Sequence, residues 1–372
     1  MTDLQVEVAV VGAGLMGAAT AWELARRGVS VALVEAHDPG HVHGSSHGTS
    51  RIVRRAYADP FYLQLTGRSF DAWQRAEDDT GTTLLTMTGG LDTGSRRDPE
   101  GLARLMAEQR IDCELLAAAE AESRWPGMGF DGPVLFHPQA GHLDADAAVA
   151  AWVRRAQELG ATVLGRTRVT GVDVVGDGAL VRTDGPTIAA GTVVVAAGPW
   201  LPELAGSLGL PLVLPPIVVT QQQVFHFRRH EPEVPWPVFV HKGELQLFGL
   251  PSGADGGPRP AFKVAEHGNG TPTTATGRTG RVDPVSRDRV LRHVAEFLPG
   301  LAPEPVAQGS CLYTNTPDED FVLDRVGPIV VASPCSGHGA KFAALIGELA
   351  ADLAQDRAAA LPRFSLPVPA RA

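Results

Sequence analysis

Apolar residues open the chain in three consecutive blocks. Residues 5–12 form a β-branched run typical of a buried strand, and residues 14–28 carry a helical pattern rich in Ala, Leu, Glu and Arg. Residues 29–35 form a second apolar run. This order predicts a strand, a crossover helix and a parallel strand, and therefore the start of an α/β domain.

The α/β pattern continues along the chain. A hairpin is predicted across 172–183, because Gly176, Asp177 and Gly178 are typical turn residues. Helical spacing and buried-strand runs predict the remaining elements of this part of the fold. They are helices at 60–79, 144–160 and 339–357, and strands at 161–169, 192–200 and 328–333.

A change of composition marks a second structural region. Prolines become frequent between residues 211 and 260, and alternating stretches at 223–227 and 246–250 favour an antiparallel sheet. We expect residues 84–140 to supply its partner segment. Two stretches rich in Gly, Pro and Thr are predicted to be surface loops, namely 253–257 and 268–280.

Composition and charge narrow the function classes. The chain has 372 residues, 44% of them hydrophobic, and a net charge of −10 without a run of like charge. These values favour a soluble protein of two domains and disfavour a nucleic-acid surface or a polybasic membrane patch. Cys113, Cys311 and Cys335 are too far apart for a disulfide framework or a zinc motif, and no targeting or membrane segment is visible. We therefore expect a reduced, cytoplasmic protein that binds small molecules.

The first strand and helix are joined by a glycine motif typical of dinucleotide binding. Gly12, Gly14 and Gly17 form G-A-G-L-M-G, and Glu35 ends the next strand. The first glycine permits the turn, the second lets the backbone approach a pyrophosphate, and the third lets the helix pack on the sheet. The helix N-terminus then faces the phosphates, and Glu35 is placed to accept hydrogen bonds from ribose hydroxyls.

This motif is shared by FAD and NAD proteins, so the choice of cofactor depends on other segments. The run T-V-V-V-A-A-G-P-W at 192–200 ends an apolar strand in glycine, as FAD-binding folds do where the chain passes close to the dinucleotide. That feature and Cys311 favour a flavin. A nicotinamide-dependent dehydrogenase remains the first alternative.

Three further segments resemble the monomeric sarcosine oxidase and N-methyltryptophan oxidase family, within the D-amino-acid-oxidase-like flavoproteins. They are G-S-S-H-G-T-S-R-I-V-R-R-A-Y at 44–57, C-L-Y-T-N-T-P-D-E-D-F at 311–321 and S-G-H-G-A-K-F at 336–342. The resemblance implies a monomer with FAD bound covalently through a cysteine. It also implies that a secondary amino acid is oxidised and that O2 is reduced to H2O2.

The resemblance assigns roles to an arginine cluster. It implies that His47 and Arg51 lie against the flavin ring, and that Arg54 and Lys341 bind the substrate carboxylate. Arginine suits this chemistry because its planar fork pairs with carboxylates and stays charged at any working pH. We expect Arg55 to face solvent or to pair with an acid instead.

Cys311 matches the family's flavin-linking cysteine. A thiolate can attack the 8α carbon of the flavin once that methyl group has lost a proton, and nearby positive charge stabilises both the thiolate and the electron-rich ring that results. His47 and Arg51 are expected to supply that charge. Cys335 is not the predicted attachment site, because the family usually has an aromatic residue there.

Lys263 and His267 resemble the lysine that the family uses for reaction with oxygen and a histidine of its active site. A fixed ammonium stabilises developing superoxide, and burial should lower its pKa. Both residues follow an apparent insertion relative to the family, at 253–258.

The chain departs from the family at several positions near the expected pocket. Pro334, Cys335 and Ala340 interrupt the usual G-F-S-G-H-G-F-K pattern, and Phe248 replaces a common tyrosine. Smaller residues beside the flavin leave more room, so we expect a larger N-methyl or cyclic amino acid rather than sarcosine.

The complete prediction is an α/β fold in which a Rossmann-like FAD-binding domain is interleaved with an antiparallel-sheet (α+β) substrate domain. The first domain takes residues 1–83, 150–212 and 322–372, and the second takes 84–149 and 213–321. A flavin-binding subunit of a multi-subunit sarcosine oxidase is a further alternative. The His-rich run at 41–47 has no cysteine or carboxylate at a suitable spacing, so no metal site is predicted.

The predicted site residues fall into three groups. Predicted catalytic residues are Lys263, His267, Arg51 and His47. Predicted substrate-binding residues are Arg54, Lys341, Tyr57, Phe248 and Tyr313. Predicted cofactor-binding residues are Gly12, Gly14, Met16, Gly17, Glu35, Ser45, Ser50, Arg51, Val169, Gly198, Trp200, Cys311, Gly337, Gly339 and Lys341.

Overall fold

A computed structural model describes residues 2–208, 210 and 212–367, which form three β-sheets and eight α-helices. The helices are α1 (Leu15–Arg26), α2 (Pro60–Thr80), α3 (Pro99–Glu108), α4 (Ala118–Arg124), α5 (Ala145–Glu158), α6 (Leu201–Ser207), α7 (Pro284–Phe297) and α8 (Ala343–Ala354). Short 3₁₀ turns occupy Gly198–Trp200, Ala254–Gly256, Ala340–Phe342 and Pro362–Phe364.

The strands cover most of the remaining regular structure. They are β1 (Leu4–Val11), β2 (Val31–Val34), β3 (Arg51–Arg54), β4 (Leu85–Met87), β5 (Gly90–Thr93), β6 (Glu114–Leu116), β7 (Val134–His137), β8 (Ala140–Leu143), β9 (Thr162–Leu164), β10 (Val169–Val175), β11 (Gly178–Thr183), β12 (Ile188–Val195), β13 (Val218–Arg229), β14 (Val238–Lys242), β15 (Gln246–Pro251), β16 (Ala261–Glu266), β17 (Thr271–Thr273), β18 (Leu301–Asn315), β19 (Val322–Val326) and β20 (Ile329–Ser333).

The first sheet contains eight strands in the order β10, β11, β12, β1, β2 and β9, with β20 beside β12 and β19 beside β20. β1 pairs in parallel with β2 and β12, and β12 also pairs in parallel with β20. Val10 on β1 lies opposite Leu33 on one side and Val194 on the other. The parallel centre confirms the predicted α/β fold and its opening β1–α1–β2 unit.

Both faces of this sheet pack against other parts of the chain, so its central parallel strands have continuous apolar sequences. Successive side chains of β1 point to opposite faces, and Val10 and Val11 accordingly belong to two different core clusters. The first cluster contains α1, α5 and α8, and Trp152 in it stacks on Trp22 and Trp73 with ring centroids 6.0 and 5.1 Å apart.

The second sheet has nine strands in the order β17, β13, β16, β15, β14, β5, β7 and β6, with β18 also paired to β13. The antiparallel β13–β18 ladder runs from the Val218–Asn315 pair to the Arg229–Leu301 pair. β5 and β7 come from the segment expected to partner residues 211–260, and β5 joins β14 in parallel. A small third sheet pairs β3 and β4 with β8.

Three local predictions need correction. The strand predicted at 161–169 ends at Leu164, because Arg166 adopts a positive φ of 51° and turns the chain before β10. The last helix begins at Ala343, after a 3₁₀ turn at Ala340–Phe342. Gly339 immediately before that turn is so close to the Pro334 carbonyl that a side chain would collide with it.

The third correction concerns one of the two predicted surface loops. The 268–280 stretch contains β17, which pairs with β13. The 253–257 stretch is largely exposed, as predicted; it folds back against Thr49, and the side chain of Asp255 contacts Lys263. No α-helix among the described residues is long and apolar enough to cross a membrane.

Candidate active site

A cavity of about 530 Å³ is lined by the ends of β1 and β2 and by residues of β13, β16 and β18. It brings together almost all of the predicted site residues. Those that line it are Gly12, Gly14, Met16, Glu35, Ser45, Ser50, Arg51, Arg54, Tyr57, Val169, Gly198, Trp200, Phe248, Lys263, His267, Cys311, Tyr313, Gly337, Gly339 and Lys341. Gly17 and His47 are not among the lining residues.

The glycine motif forms a close turn between β1 and α1. Gly12 has a φ of +101°, and a Cβ there would lie 2.5 Å from the carbonyl oxygen of Ala196 on the neighbouring chain segment. A Cβ at Gly17 would collide with the Gly12 carbonyl. Gly17 therefore serves the packing of helix against strand, which explains why it does not face the cavity.

Glu35 lies at the end of β2 and faces the same turn. Its carboxylate accepts hydrogen bonds from the backbone N–H groups of Ala13 (2.8 Å) and His37 (3.0 Å), and His41 Nε2 lies 3.3 Å away. Burial alone would raise the pKa of Glu35, but His41 and the two N–H groups outweigh it and lower this pKa. The carboxylate is thus ionised and fixed beside the helix N-terminus.

Arg51 is a cation held by neutral partners. Its guanidinium donates to the backbone carbonyls of Ser50 (2.9 Å), Ser45 (3.3 Å) and His47. His47 is half-buried and does not line the cavity, and burial followed by the charge of Arg51 lowers its pKa to about 4. His47 is therefore neutral, and Arg51 carries the positive charge that was expected of both residues.

Cys311 lies on β18 opposite Gln222 of β13, with its side chain toward the cavity. Burial raises the pKa of the Cys311 thiol, whereas the charges of Arg51 and Lys263 oppose that rise. Cys335 also lines the cavity, and its sulfur accepts a hydrogen bond from the backbone N–H of Thr314 at 3.3 Å. The structure thus places two thiols in one cavity.

Lys263 points inward from β16, and its side chain is 3% exposed. Its ammonium donates to the Asp255 carboxylate at 2.7 Å and to the Ser50 carbonyl at 3.2 Å. Burial, followed by the charge of Arg51, lowers the pKa of Lys263 to about 8, although Asp255 acts in the opposite direction.

Arg54 and Lys341 approach the ring of Tyr57. The Arg54 guanidinium carbon lies 4.7 Å and the Lys341 nitrogen 5.5 Å from the ring centroid, within the range of cation–π attraction. The Lys341 ammonium donates to the carbonyl of His338 at 2.6 Å. Burial and the charge of Arg54 lower the pKa of Lys341 well below its usual value.

A buried carboxylate that the sequence analysis missed supports Arg54 from behind. Asp92 is fully buried, accepts a hydrogen bond from Arg97 at 2.6 Å and lies 3.6 Å from Arg54 Nη1. His137 Nε2 contacts its other oxygen at 3.3 Å. Burial would raise the pKa of Asp92, but Arg97 and Arg54 hold it below its usual range. The sequence offers little signal for this role, because β5 reads G-L-D-T and only the structure shows that the whole strand is buried.

His267 and Phe248 form another wall of the cavity. The His267 ring lies 5.7 Å from that of Tyr313, and a Cβ on Gly337 would be 2.7 Å from His267. Burial, followed by the charge of Lys341, lowers the pKa of His267 to about 4. His267 is therefore a neutral hydrogen-bonding group, and Tyr313, whose pKa burial raises, is protonated.

The small number of lysines is a feature of the sequence that indicates the site and that the sequence analysis missed. Among 32 basic residues the chain has three lysines, and Lys242, Lys263 and Lys341 all line the cavity. Lys242, at the end of β14, is exposed.

Arg55, the arginine expected to lie outside the site, donates hydrogen bonds to Thr66 and Gln139 and does not line the cavity.

The chemistry of the lining fits a bound dinucleotide with a polar ring system. Several buried polar atoms in the lining have no hydrogen-bond partner within the protein, as expected where a polar ligand completes the hydrogen bonding. They are Ser50 Oγ, Arg54 Nη1, Gln223 Nε2 and Thr314 Oγ1. In the part of the chain that the structure describes, no group of three His, Cys, Asp or Glu side chains is placed to hold a metal ion.

Comparisons with known proteins agree with this geometry. A family model described as FAD dependent oxidoreductase matches residues 7–353. Monomeric sarcosine oxidase of Bacillus sp. (strain B-0618) is 32% identical over 365 residues, covering 94% of this chain and 92% of that protein. N-methyl-L-tryptophan oxidase of Citrobacter koseri is 29% identical over 381 residues, covering 98% and 97%. These relatives confirm the resemblance found in the sequence motifs.

Solved structures share the fold. NikD in its open form, described as an unusual amino acid oxidase essential for nikkomycin biosynthesis, superposes with a TM-score of 0.86 at 26% identity and covers 98% of each chain. L-proline dehydrogenase from P. horikoshii superposes with a TM-score of 0.83 at 22% identity, over 97% of each chain.

Proposed function

The chain belongs to the FAD dependent oxidoreductase family, and on that premise we propose that it oxidises a secondary amino acid, N-methylated or cyclic, to an imine. The two electrons and two protons removed from the amine reduce O2 to H2O2. The observation that carries the proposal is the pair of buried cations, Arg54 and Lys341, which meet at one aromatic ring in the cavity. Such a pair suits the carboxylate of an amino acid.

The residues that would hold FAD come from both large sheets. When bound, FAD supplies a two-electron oxidant for the amine and passes the electrons to oxygen. The glycine turn and the N-terminus of α1 favour its phosphates, and the ionised Glu35 suits ribose hydroxyls. Arg51, held by neutral carbonyls, supplies positive charge beside the polar ring system.

Arg54 and Lys341 bind and orient the substrate in this proposal. Asp92 holds Arg54 in place, while the Lys341 backbone is fixed because its carbonyl accepts hydrogen bonds from Ser69 (2.6 Å) and Trp73 (2.7 Å). A carboxylate gripped at two cations leaves the amine with little rotational freedom. Lys263 serves the second half of the reaction, because its ammonium can stabilise negative charge that develops on oxygen.

We further propose that the substrate is bulkier than sarcosine. Cys335 and Ala340 line the cavity, at the two positions where the family pattern G-F-S-G-H-G-F-K has phenylalanine. Phe248 faces the same space from β15. Small residues at these positions leave room for a ring or a long N-substituent.

A peroxide assay with the purified chain tests the proposal directly. We expect a yellow protein that produces H2O2 with a cyclic or larger N-methyl amino acid and works poorly with sarcosine. Fastest turnover with sarcosine would contradict the size assignment. A colourless protein that requires NAD would favour a dehydrogenase, and flavin without turnover by the chain alone would favour a subunit of a larger oxidase.

We also propose that Cys311 carries the flavin as a thioether, in a monomeric, cytoplasmic enzyme with the two predicted domains. Cys335 offers a matched control because it is a second thiol in the same cavity. After acid precipitation the flavin should stay with the parent and with Cys335→Ser, but not with Cys311→Ser. Flavin retained by Cys311→Ser and released by Cys335→Ser would reverse the assignment.

A further inference from the structure

The loop that contains Asp255 lies largely at the surface, as expected, but its Asp255 side chain reaches Lys263, which lines the cavity. Gly253 packs so closely on Thr49 that a side chain would collide with the Thr49 hydroxyl. Thr49 Oγ1 donates to Asp255 Oδ1 at 2.9 Å, and Lys263 donates to Asp255 Oδ2 at 2.7 Å. Both carboxylate oxygens are thus engaged, and the loop has one defined position relative to Lys263.

The other groups that face Lys263 do not compensate its charge. His226, directly opposite on β13, and His47 both have pKa values lowered to about 4, mainly by burial, and are neutral. Burial also lowers the pKa of His142 on β8 and raises that of the Cys311 thiol on β18.

The remaining charged neighbours leave Asp255 as the partner of Lys263. Arg51 on β3 repels the Lys263 ammonium. Asp146 at the start of α5 instead accepts a hydrogen bond from the backbone N–H of Gly48 at 3.0 Å. Asp255 therefore supplies the carboxylate that hydrogen-bonds to Lys263.

We propose that the inserted loop at 253–258 supplies Asp255 as the counter-ion that keeps Lys263 protonated, and that Asp255 thereby sets the pH range in which the enzyme reacts with oxygen. This inference rests on the role proposed above for Lys263. Asp255 acts through Lys263 and is a positioning residue. Its carboxylate, which is 26% exposed, pairs with the buried Lys263 ammonium. An opposite charge at this distance favours the charged form of a lysine.

The sign of the effect follows from the two protonation states. A buried lysine without a carboxylate partner loses its proton at lower pH, because burial and Arg51 then act unopposed. The protonated form of Lys263 is the one that stabilises negative charge on oxygen. When a substitution removes the charge of Asp255, the pH above which the oxygen reaction slows should therefore be lower than in the parent. Below that range the parent and the variant should react alike.

The first experiment observes the lysine rather than turnover. Because the chain has three lysines, Lys242, Lys263 and Lys341, holoenzyme labelled with ¹³C at the lysine ε carbon gives a spectrum that single Lys→Met variants can assign. In Asp255→Asn the titration of Lys263 should move to lower pH, while the Lys242 signal stays in place. Asp255→Glu should restore the parent's Lys263 titration. Asp177→Asn, which changes a residue in an exposed turn, should leave the Lys263 titration unchanged.

The second experiment follows the reaction with oxygen. Flavin in the holoenzyme is reduced anaerobically with dithionite, so no amine substrate is involved, and is then mixed with O2 across a range of pH. The falling limb of the rate in Asp255→Asn should move to lower pH by about one pH unit or more, and Asp255→Glu should bring it back. An unchanged Lys263 titration, or an unchanged oxygen profile, would overturn the inference.

A Lys263→Met variant distinguishes failure of the counter-ion inference from failure of the role proposed for Lys263. If Lys263→Met slows the oxygen reaction but Asp255→Asn leaves the Lys263 titration unchanged, the lysine's role stands and the counter-ion inference is wrong. If Lys263→Met reacts with oxygen as fast as the parent, the proposed role of Lys263 is wrong, and control of the oxygen reaction by Asp255 falls with it.

Discussion

Lys263 and Lys341 are two buried lysines in one cavity, but their partners differ in kind. Lys263 has the Asp255 carboxylate at 2.7 Å, whereas Lys341 has the His338 carbonyl at 2.6 Å and Arg54 as a charged neighbour. A built-in anion favours the charged form of a lysine whether or not substrate is present. A lysine that lacks one has its charged form favoured further when an anionic ligand binds. The charge of Lys263 is thus supported by the protein itself, whereas that of Lys341 is supported further by the substrate.

The largest expected effect comes from Lys341→Met. Because the Lys341 carbonyl stays anchored to Ser69 and Trp73, the backbone should remain in place while one cation of the clamp disappears. We expect kcat/KM for the amine to fall by about a hundredfold to a thousandfold, with the oxygen reaction unchanged. Stopped-flow kinetics of the two half-reactions measure this. Lys242→Met, which removes the exposed lysine of the cavity, is the control, and an equal loss there would contradict the assignment.

Lys263→Met should produce the opposite pattern. Removing one preorganised cation at developing charge slows a reaction about a hundredfold, so reoxidation by O2 should fall by that order. Reduction of the flavin by the amine should change by no more than a few fold. Comparable losses in both half-reactions would remove the distinction between the two lysines.

The pH dependence of ligand binding sharpens the comparison further. Lys341 binds an anion in its protonated form and its pKa is lowered, so affinity for a simple carboxylate such as propionate should weaken as pH rises above that pKa. The slope should approach about tenfold per pH unit. Equilibrium titration of the flavin spectrum measures it. The same slope in Lys341→Met would assign the proton to another group.

The smallest expected effect concerns Tyr57, whose ring lies between Arg54 and Lys341. Tyr57→Leu removes the cation–π attraction, about 0.5–2 kcal/mol, and should reduce kcat/KM by about twofold to thirtyfold. Tyr57→Phe keeps the ring and loses the hydroxyl contact with His338 Nδ1 at 3.1 Å, and it should stay close to the parent. A Tyr57→Phe variant as impaired as Tyr57→Leu would show that the hydroxyl, not the ring, supports the clamp.

Much of the fold was predictable because its signals are local. The β1–α1–β2 unit lies within the first 34 residues, and its glycines and Glu35 occupy one continuous segment. The antiparallel region was visible from its changed composition. Element ends were less well predicted: a positive φ at Arg166 and a 3₁₀ turn at Lys341 depend on tertiary contacts rather than on apolar spacing.

The site residues that sequence analysis missed depend on contacts between distant segments. Asp92 reaches Arg54 because β5 lies near β3 in the folded chain, and no spacing rule links the two. Asp255 was assigned to a surface loop because Gly and Pro dominate that stretch. Its ion pair with Lys263 forms only when the loop folds back on Thr49.

The position of β20 has a consequence for how the protein is made. This strand pairs with the last residues of β12 near the middle of the first sheet, and Lys341 follows it after the segment 334–339. During translation these residues leave the ribosome after the other strands of both large sheets. The nascent chain therefore carries an unpaired strand edge and an incomplete cofactor pocket up to that point, and we expect loading with the nucleotide to wait until β20 and Lys341 have emerged.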